Sequence, residues 1–585
     1  MSQPASHVPS YIAQEVEWVR KPKTIDANLR DYAAACRDFD WKTVEREFDW
    51  SRTGKVNLVH EAIDRHAAGS RRAKVALHYT NDAQRESYTF DDLRRLTSRF
   101  GHVLTSLGVK KGDRVAMFLP RSPALYIGIL GANRIGAIPV PLFEAFMEQA
   151  LFDRLENSQA CVIVTTPALK ERLPLSKLPA LRTLILVDAH GQVGPREVDY
   201  AKAMDAAGDW LEPTWLSVDD GLIIHYTSGS TGRSKGVLHR QYAMVGHYQT
   251  AKWALDLRDD DVLWCTADPG WVTGTSYGIY GPWTLGVTSV VLGGRFDPAR
   301  WYRAIQEYRV TMWYSAPTAY RMLMGAGEAV AKPFDLSSLR HICTVGEPLN
   351  PEALRWVRQL TGLAPHETWW MTETGMQLIC NYRSLDFKIG CTGKPFPGTY
   401  ATVVDDAGTE TAPHELGFLV VKPCWPSMMT TIWGNAAKFR EYFRIPGWYV
   451  SGDTAYKDED GYLWYAGRAD DVIKTAGERV GPFEVESALV AHPAVAEAGV
   501  IGKPDAVRGQ IIKAFIALRQ GYAPSEQLKK EIADFVKTTL AAHAAPREID
   551  FVEKIPKTRS GKLMRRVLRA WDLGEPVGDV STMEE

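Results

Sequence analysis

The feature that most constrains the fold of this chain is an alternation of short apolar strands with amphipathic helices. Between residues 113 and 166, DRVAMFLP, YIGILGANRIGAIPVPL and ACVIVTT follow one another at close spacing. A second series contains TSVVLGG at 288–294, then ARWYRAIQEYRVTMWYSAP at 299–317, which has the pattern of a helix followed by a strand. Such alternation is typical of parallel sheets covered by helices. The sequence therefore predicts two α/β layers.

The pattern changes after about residue 395, where short strands and turns replace the helices. The turns DDAG and DEDG, in YATVVDDAGTE and GWYVSGDTAYKDEDGYLWYAGR, are typical of hairpins. After GRADDVIK at 467–474 we expect a strand, a helix, two strands and a final helix. The predicted fold is α/β, with a large N-terminal domain (residues 1–468) of two α/β layers plus a small β-rich subdomain, followed by a small α+β C-terminal domain (residues 469–585).

Composition and charge are those of an ordinary globular enzyme. The chain has 585 residues, 45% of them hydrophobic, and its 69 basic and 70 acidic residues give a net charge of -1. This balance favours neither nucleic acid nor an acidic membrane surface as a partner. The seven cysteines are scattered without C-x-x-C spacing, so we expect no disulfide framework and no zinc site. The first twenty residues do not resemble a signal peptide, and we expect a cytoplasmic protein.

One stretch has the composition of a phosphate-binding loop. In IIHYTSGSTGRSKGVLH, residues 223–239, an apolar strand runs into glycines, hydroxyl residues and a lysine. Glycine lets the backbone approach an anion, hydroxyls donate hydrogen bonds, and lysine supplies charge. The spacing is not that of the Walker loop. A flexible hydroxylated turn is the alternative, and the density of these residues favours phosphate binding.

A second stretch, HETWWMTETGM at 366–376, sets two tryptophans beside Thr372, Glu373 and Thr374. A buried indole removes roughly 150 to 250 Å² from water, so tryptophan pairs usually belong to a core. Two interpretations stay open at this point. The indoles are core packing that abuts a polar loop, or they form the wall of a small chamber that Glu373 serves.

These stretches, in this order, resemble the adenylate-forming superfamily. The superfamily contains acyl-CoA synthetases, the adenylation domains of peptide synthetases and firefly-type luciferases. The resemblance is carried by the loop at 223–239, by WWMTETG (369–375), by YVSGDTAYKDEDGYLWYAGRADDVIKTAGERVGPFEVES (449–487) and by PKTRSGKLMRR (556–566). It extends over essentially the whole chain. The runs EAGVIGKPDAVRGQIIKAFIAL and LAAHAAPREI are similar to those of the shorter bacterial acyl-CoA synthetases that use acetate.

The resemblance implies a two-step reaction. Acetate attacks the α-phosphorus of ATP to give acetyl-adenylate and diphosphate, and the thiol of CoA then displaces AMP, with Mg²⁺ accompanying ATP and CoA as co-substrate. Propionate or another short-chain acid is the alternative substrate. Two further classes are an inactive scaffold that senses nucleotides and a carrier-loading adenylation module. The presence of Glu373, Asp453 and Lys562 disfavours the first, and the absence of a carrier motif after Lys562 disfavours the second.

The resemblance also implies roles for single residues in binding ATP and in the first step. The β- and γ-phosphates are held by Thr227, Ser228, Gly229, Ser230, Thr231, Gly232 and Lys235, adenine lies beside Gly346, Glu347 and Pro348, and the ribose is held by Asp453 and Arg468. Thr372 and Arg479 contact the α-phosphate, Glu373 ligates Mg²⁺, and Lys562 bridges the acid and the α-phosphate.

Further implied roles concern the acid, CoA and regulation. The acyl pocket is formed by Val272, Thr273, Val345 and Trp370, with Trp369 packed behind Trp370. The CoA tunnel passes Ala476 and Gly477, and Asp470 is the hinge of a mobile C-terminal domain that carries Lys562. In resembling synthetases this lysine is reversibly acetylated, which implies an acetyltransferase and a deacetylase as partners.

Overall fold

The computed structural model describes residues 16–22, 25–227, 234–475, 478–505, 508–558 and 563–574, together with residues 577, 580 and 583. For residues 478 and 479 it describes the backbone alone. No helix within these ranges is long and apolar enough to cross a membrane.

The described residues up to position 220 include a parallel sheet covered by helices, and the first three of their strands pair elsewhere. Their strands are β1 Trp18–Val19, β2 Val75–Thr80, β3 Arg85–Thr89, β4 Arg114–Phe118, β5 Ile138–Leu142, β6 Val162–Thr165, β7 Thr183–Leu186 and β8 Glu197–Asp199. Their helices are α1 Tyr32–Asp38, α2 Trp41–Glu45, α3 Trp50–Thr53, α4 Arg65–Ala68, α5 Phe90–Ser106, α6 Pro123–Arg134, α7 Glu148–Ser158, α8 Pro167–Lys170 and α9 Tyr200–Ala206, with short π- and 3₁₀-helical turns at His60–Asp64 and Leu175–Lys177. Five strands form one sheet in the order β5-β4-β6-β7-β8, and every neighbouring pair is parallel.

A larger sheet follows, and it is the second predicted α/β layer. Its region contains β9 Gly221–Thr227, β10 Lys235–Arg240, β11 Val262–Cys265, β12 Thr288–Leu292, β13 Met312–Ser315, β14 His341–Val345, β15 His366–Trp369, β16 Ile379–Cys380, β17 Phe387–Lys388 and β18 Lys394–Pro395. The helices are α10 Ala243–Trp253, α11 Val272–Thr275, α12 Gly281–Leu285, α13 Pro298–Glu307, α14 Pro317–Ala326 and α15 Pro351–Thr361, with a π-helix at Ser276–Tyr280 and a 3₁₀ turn at Glu328–Val330. Nine strands run in the order β18-β16-β15-β14-β13-β11-β12-β2-β3, parallel from β15 to β2 and antiparallel at both edges.

The β-rich part lies where the sequence predicts it. It consists of β19 Ala401–Val404, β20 Gly417–Val421, β21 Thr431–Ile432, α16 Ala436–Glu441, β22 Tyr449–Lys457 and β23 Leu463–Arg468. The order β19-β20-β22-β23 is antiparallel throughout, and β21 joins β10 and β9 in a separate small sheet. The DEDG turn joins β22 to β23 as expected, whereas DDAG turns the chain inside a longer connection between β19 and β20.

The C-terminal part has its own apolar core. It comprises β24 Ile473–Thr475, β25 Glu478–Val480, α17 Pro482–Val490, β26 Val495–Asp505, β27 Gly509–Leu518, α18 Glu526–Thr539, β28 Glu548–Phe551 and α19 Arg565–Leu573. The strand β28 and the helix α19 come after the helix predicted to be the last. The four-residue β28 has too few positions for a recognisable period, and it pairs in parallel with β27. The division of the chain at residues 468 and 469 stays a prediction.

The topology brings the polar stretches of the sequence together. The strands β13, β14 and β15 are parallel neighbours, so the segments that follow them meet at one edge of the large sheet. Gly346 follows β14, and Trp370 follows β15. This edge is the starting point for the candidate site.

Candidate functional site

The loop at residues 371–375 is held in place through its backbone carbonyls. The Nε2 atom of His239 lies 2.8 Å from the carbonyl oxygen of Thr372. The Nε2 atom of His247 lies 2.9 Å from that of Gly375. Gly375 has φ +70°, and a Cβ there would lie 2.4 Å from a neighbouring backbone oxygen, so the position requires glycine. The loop is therefore fixed from the strand β10 and the helix α10 beneath it.

Glu373 is buried and holds two partners on one oxygen. The ammonium of Lys235, at the start of β10, lies 2.8 Å from Glu373 Oε1. The hydroxyl of Tyr442, just after α16, donates to the same oxygen over 2.7 Å. Lys235 also contacts the Tyr442 hydroxyl, so the three groups form a closed cluster. The structure thus brings together two predicted residues, Lys235 and Glu373, with one that the sequence did not indicate.

This cluster keeps Glu373 charged although it is buried. Burial raises the pKa of the Glu373 carboxyl, but the Lys235 ammonium and the Tyr442 hydroxyl outweigh it and leave the pKa below its ordinary value. Burial and the neighbouring Glu373 carboxylate raise the pKa of the Tyr442 phenol. The site therefore presents a carboxylate beside an ammonium, with a phenol that stays protonated.

The donor set of this cluster fits Mg²⁺. Among the described residues no group of three or more His, Cys, Asp or Glu side chains could hold a metal ion by itself. Mg²⁺ is usually held by one or two carboxylates together with substrate phosphates, so a single ionised carboxylate such as Glu373 is sufficient.

The hairpin of β9 and β10 flanks the predicted phosphate-binding loop. Thr227 ends β9 and faces Lys235, the first residue of β10. Within the described part of the chain, the buried hydroxyls of Thr227 and Ser234 have no hydrogen-bond partner. Both hydroxyls are therefore available as donors to an anion bound beyond the ends of the two strands. The predicted loop residues Ser228, Gly229, Ser230, Thr231 and Gly232 lie outside the described residues.

Asp453 and Arg468 form a pair across a hairpin. They occupy opposite positions in β22 and β23, and Arg468 Nη1 lies 3.1 Å from Asp453 Oδ1. The indole nitrogen of Trp369 donates to the other oxygen, Oδ2, over 3.0 Å. Trp369 was expected to pack behind Trp370. That expectation is wrong, because its indole binds Asp453 instead. Side chains that follow one another along an extended backbone point in opposite directions, which explains why the two indoles separate.

The segment after β14 is anchored by its glutamate. Gly346, with φ +95°, precedes Glu347 and Pro348. Arg321, on α14, donates to Glu347 Oε2 over 2.8 Å, and the backbone nitrogen of Thr318 donates to Oε1 over 3.1 Å. The three predicted adenine-side residues thus lie on a segment with few degrees of freedom.

A second carboxyl, Glu367 on β15, supports the same segment. It is 6% exposed and accepts a hydrogen bond from the backbone nitrogen of Leu349 over 3.1 Å. Burial raises the pKa of Glu367 from 4.5 to about 8, an effect that the Leu349 amide reduces. Glu367 is therefore protonated at neutral pH.

The predicted acyl-pocket residues meet in one apolar cluster. Val272, Val345 and Trp370 are buried in a cluster that also contains Tyr277. The rings of Tyr277 and Trp370 are nearly perpendicular, with centroids 5.1 Å apart. Thr273 is half-buried beside Val272. The four predicted residues come from three separate segments of the chain, and the structure brings Val272, Val345 and Trp370 into contact with one core.

The predicted hinge lies next to the Asp453 pair. Asp470 is exposed, and its Oδ1 atom is 3.5 Å from Arg468 Nε. Several other predicted sites lie outside the described residues: Ala476, Gly477, Lys562 and the side chain of Arg479.

Five residues at the site were not indicated by the sequence: Tyr442, Trp369 as a partner of Asp453, His239, His247 and Glu367. Tyr442 is 69 positions from Glu373 and lies in no polar motif. Glu367 stands alone in a strand, where a carboxylate usually faces solvent. Of these residues only Glu367 could have been found from the sequence, because in HETWW it precedes two indoles in a segment expected to be buried.

Comparison with known protein families divides the chain into two matched parts. A family described as "AMP-binding enzyme" matches residues 63–433. A family described as "AMP-binding enzyme C-terminal domain" matches residues 484–562.

Individual proteins resemble the chain over almost its full length. Acetyl-coenzyme A synthetase of Bacillus subtilis is 58% identical over 561 residues, which cover 96% of this chain and 98% of the relative. Acetyl-coenzyme A synthetase of Methanothrix soehngenii is 41% identical over 570 residues, 92% of this chain and 85% of the relative. The crystal structure of an acyl-CoA synthetase of Brucella canis matches with a TM-score of 0.73 at 36% identity and covers 93% of this chain and 99% of that one. The crystal structure of an anthranilate CoA ligase in complex with anthranoyl-AMP matches with a TM-score of 0.80 at 28% identity. The match covers 88% of this chain and 97% of that one.

The raised pKa of Glu367 predicts how stability depends on pH. Between pH 4.5 and about 8 the folded chain keeps the proton of Glu367 while the unfolded chain has lost it, so this residue makes the fold less stable as pH rises through that window. Glu367→Gln keeps an acceptor for Leu349 and carries no charge. We expect the variant to match the parent near pH 5 and to exceed it by at least about 1 kcal/mol near pH 9.

Thermal unfolding at the two pH values measures this difference. The control is Glu526→Gln, because the Glu526 side chain is 89% exposed and its replacement should change stability equally at both pH values. A Glu367→Gln protein that loses stability at pH 9 relative to the parent would contradict the assignment.

Proposed function

The chain belongs to the AMP-binding enzyme family, and from that membership we infer that it is an AMP-forming acetate–CoA ligase. It converts ATP, acetate and CoA into acetyl-CoA, AMP and diphosphate through an acetyl-adenylate. The observation that carries this conclusion is the near full-length similarity to acetyl-coenzyme A synthetases, at 58% identity for that of Bacillus subtilis.

The first step must bring two anions together, the acid and the triphosphate. Cations and fixed donors lower the barrier to such an approach. In our proposal Lys235 turns from Glu373 toward the β- and γ-phosphates, aided by the hydroxyls of Thr227 and Ser234. The Lys562 ammonium lies between the carboxylate and the α-phosphate, where Thr372 and Arg479 add donors. Diphosphate then leaves, and these groups neutralise the negative charge that builds up on it.

Glu373 is the residue that would hold Mg²⁺ with ATP. A bound Mg²⁺ neutralises phosphate charge and orients the triphosphate. The observation that supports this role is the lowered pKa of Glu373 while Lys235 and Tyr442 are its partners, because the carboxylate is then already ionised when ATP draws Lys235 toward its phosphates.

The nucleoside part of ATP is oriented by two anchored elements. The Asp453 carboxylate accepts from the ribose hydroxyls while Arg468 and Trp369 hold its orientation. The segment from Gly346 to Pro348 lies beside adenine, fixed through Glu347. Neither group takes part in bond making, and both place the α-phosphorus within reach of the acid.

The size of the acid is limited by the chamber of Val272, Thr273, Val345 and Trp370. A wall that excludes a larger group acts strongly, whereas one methylene changes binding by only about 1–3 kcal/mol. Propionate is therefore a poor but measurable substrate. Butyrate and longer acids are excluded.

The second step requires a different arrangement of the C-terminal domain, residues 469–585. Backbone rotation at Asp470 withdraws Lys562 and lets the thiol arm of CoA reach the acetyl-adenylate past Ala476 and Gly477. The exposure of Asp470 and its weak contact to Arg468, 3.5 Å between the charged atoms, support this role, because a hinge needs few contacts that resist rotation.

We place the enzyme in the cytoplasm. All seven cysteines are free thiols, which suits a reducing compartment.

The decisive test of the function measures AMP release with ATP and CoA across a series of acids. We expect acetate first, propionate weakly, and no release with butyrate, octanoate or benzoate. Rapid release with an aromatic or long-chain acid and none with acetate would refute the assignment. Exchange of diphosphate with amino acids would favour an adenylation module instead.

Lys562→Ala separates the two half-reactions. We expect acetyl-adenylate formation to fall by more than about 100-fold, because the positioned cation is lost, while thioester formation from preformed acetyl-adenylate stays largely intact. The two steps are measured separately, by diphosphate exchange and by consumption of synthetic acetyl-adenylate. Lys557→Ala is the control, since Lys557 is paired with Glu497 nearby. Equal losses of activity in both steps would contradict the proposal that Lys562 serves the first step alone.

Acetylation of Lys562 should switch off the first step for the same reason. Acetylation removes the positive charge and leaves the side chain in place. We propose that an acetyltransferase and a deacetylase act on this residue. Protein carrying acetyl-lysine at position 562 alone, made by genetic code expansion, should lose acetate-dependent diphosphate exchange and regain it after deacetylation. Full activity of the acetylated protein would end the proposal.

Trp370→Gly tests the wall of the acyl pocket. We expect kcat/KM for acetate to fall and acids of about five carbons to become substrates, because the indole no longer blocks the chain. The adjacent Trp369→Phe should behave oppositely, with weaker ATP binding and an unchanged order of acids, since Trp369 contacts Asp453 instead. If Trp370→Gly folds, binds ATP and keeps the parental order of acids, Trp370 is not the wall.

A further inference from the structure

The hydroxyl of Tyr314 contacts three side chains around the acyl pocket. Tyr314, on β13, is fully buried in the cluster that contains Trp370. The indole nitrogen of Trp370 lies 3.2 Å from this hydroxyl, and Gln377 Nε2 lies 3.0 Å from it. The hydroxyl of Thr368, on β15, is 2.7 Å away. One phenol thus joins the indole of Trp370 to two strands of the large sheet.

The direction of each hydrogen bond follows from the groups present. Thr368 has one hydroxyl proton and donates it to the backbone oxygen of Thr344 over 2.8 Å. Tyr314 must therefore donate to Thr368 Oγ1, and its two lone pairs accept from Trp370 and Gln377. The phenol has no remaining donor or acceptor capacity. A fully satisfied buried group of this kind holds its neighbours in one arrangement.

Trp370 is consequently fixed on two sides. Its polar edge is bound to Tyr314, and its ring meets the ring of Tyr277 at an interplanar angle of 83°. Gln377 joins the two tyrosines, because its backbone nitrogen donates to the Tyr277 hydroxyl over 2.9 Å. The indole cannot rotate without leaving its N–H unpaired in an apolar core.

We propose that Tyr314 is the positioning residue that sets the chain-length selectivity of the enzyme, by holding Trp370 closed across the acyl pocket. This inference rests on the proposed function and on Trp370 as the wall. Tyr314 does not touch ATP in this assignment. Its effect is therefore confined to which acid is accepted.

Tyr314→Phe removes the hydroxyl and keeps the ring. Trp370 and Gln377 then lose their acceptor, and the indole moves to find another. We expect kcat/KM for propionate relative to acetate to rise about tenfold, butyrate to become a detectable substrate, and KM for ATP to stay as in the parent. A residue that only stabilised the fold would change all substrates together and leave this ratio unchanged.

Binding of alkyl esters of AMP gives a second readout that does not depend on catalysis. Calorimetry with ethyl-AMP and butyl-AMP should show butyl-AMP gaining about tenfold in affinity relative to ethyl-AMP in Tyr314→Phe. The matched control is Tyr320→Phe. Tyr320 is also fully buried, and its hydroxyl donates to the backbone oxygen of Cys343 over 2.9 Å, but it makes no hydrogen bond to Trp370. Its selectivity ratio should equal that of the parent.

Thr368→Val is a second variant in case Tyr314→Phe does not fold. Valine keeps the shape of threonine and removes the acceptor that orients the Tyr314 hydroxyl, so selectivity should shift in the same direction. If both variants fold and keep the parental ratios with acids and with alkyl esters, the inference on Tyr314 is wrong while the acetate assignment stands. If the unmutated protein does not prefer acetate, the proposed function itself is wrong, and the inference on Tyr314 falls with it.

Discussion

The site depends on keeping one carboxylate, that of Glu373, charged inside the protein. Burying an unpaired charge is strongly unfavourable, so the chain must supply partners from elsewhere. Lys235 comes from the start of β10 and Tyr442 from the segment after α16, and both meet Glu373 Oε1. Three segments far apart in sequence therefore converge on one oxygen atom. The loop that carries Glu373 is fixed as well, because His239 and His247 bind its backbone carbonyls.

The two adjacent tryptophans at the end of β15 contact two different parts of the proposed site. Trp369 turns toward the β-rich part, where its indole nitrogen orients Asp453, and Trp370 turns into the apolar cluster with Val272 and Val345. Because consecutive side chains of an extended backbone alternate in direction, the two tasks separate by geometry alone. In the proposed function the acid and the ribose are thus both positioned from the end of one strand, β15. A shift of that strand would displace both substrates together.

Residues inside motifs could be predicted from the sequence, and residues that support them could not. The two α/β layers and the hairpin that pairs Asp453 with Arg468 follow from period and turn signals, which are local. Tyr442 and Tyr314 carry no local signal. Their roles arise from contacts 69 and 56 positions away, to Glu373 and Trp370. The strand β28 was missed for a related reason, since its identity depends on pairing with β27.

We assign the choice of acid to a tightly packed part of the protein and the movement between the two steps to an exposed part. The predicted acyl-pocket residues lie on the helix α11 and on or just after the strands β14 and β15, and the Tyr314 hydroxyl that binds Trp370 has each of its hydrogen-bond positions filled. A hydroxyl held in this way moves little, which suits the selection between acids of two and four carbons that we propose for this pocket. The predicted hinge residue Asp470 is exposed and has a weak contact at 3.5 Å, which suits the rotation that we propose for it. In the proposed mechanism the acid is therefore selected before the C-terminal domain moves, and the movement need not disturb the pocket that made the selection.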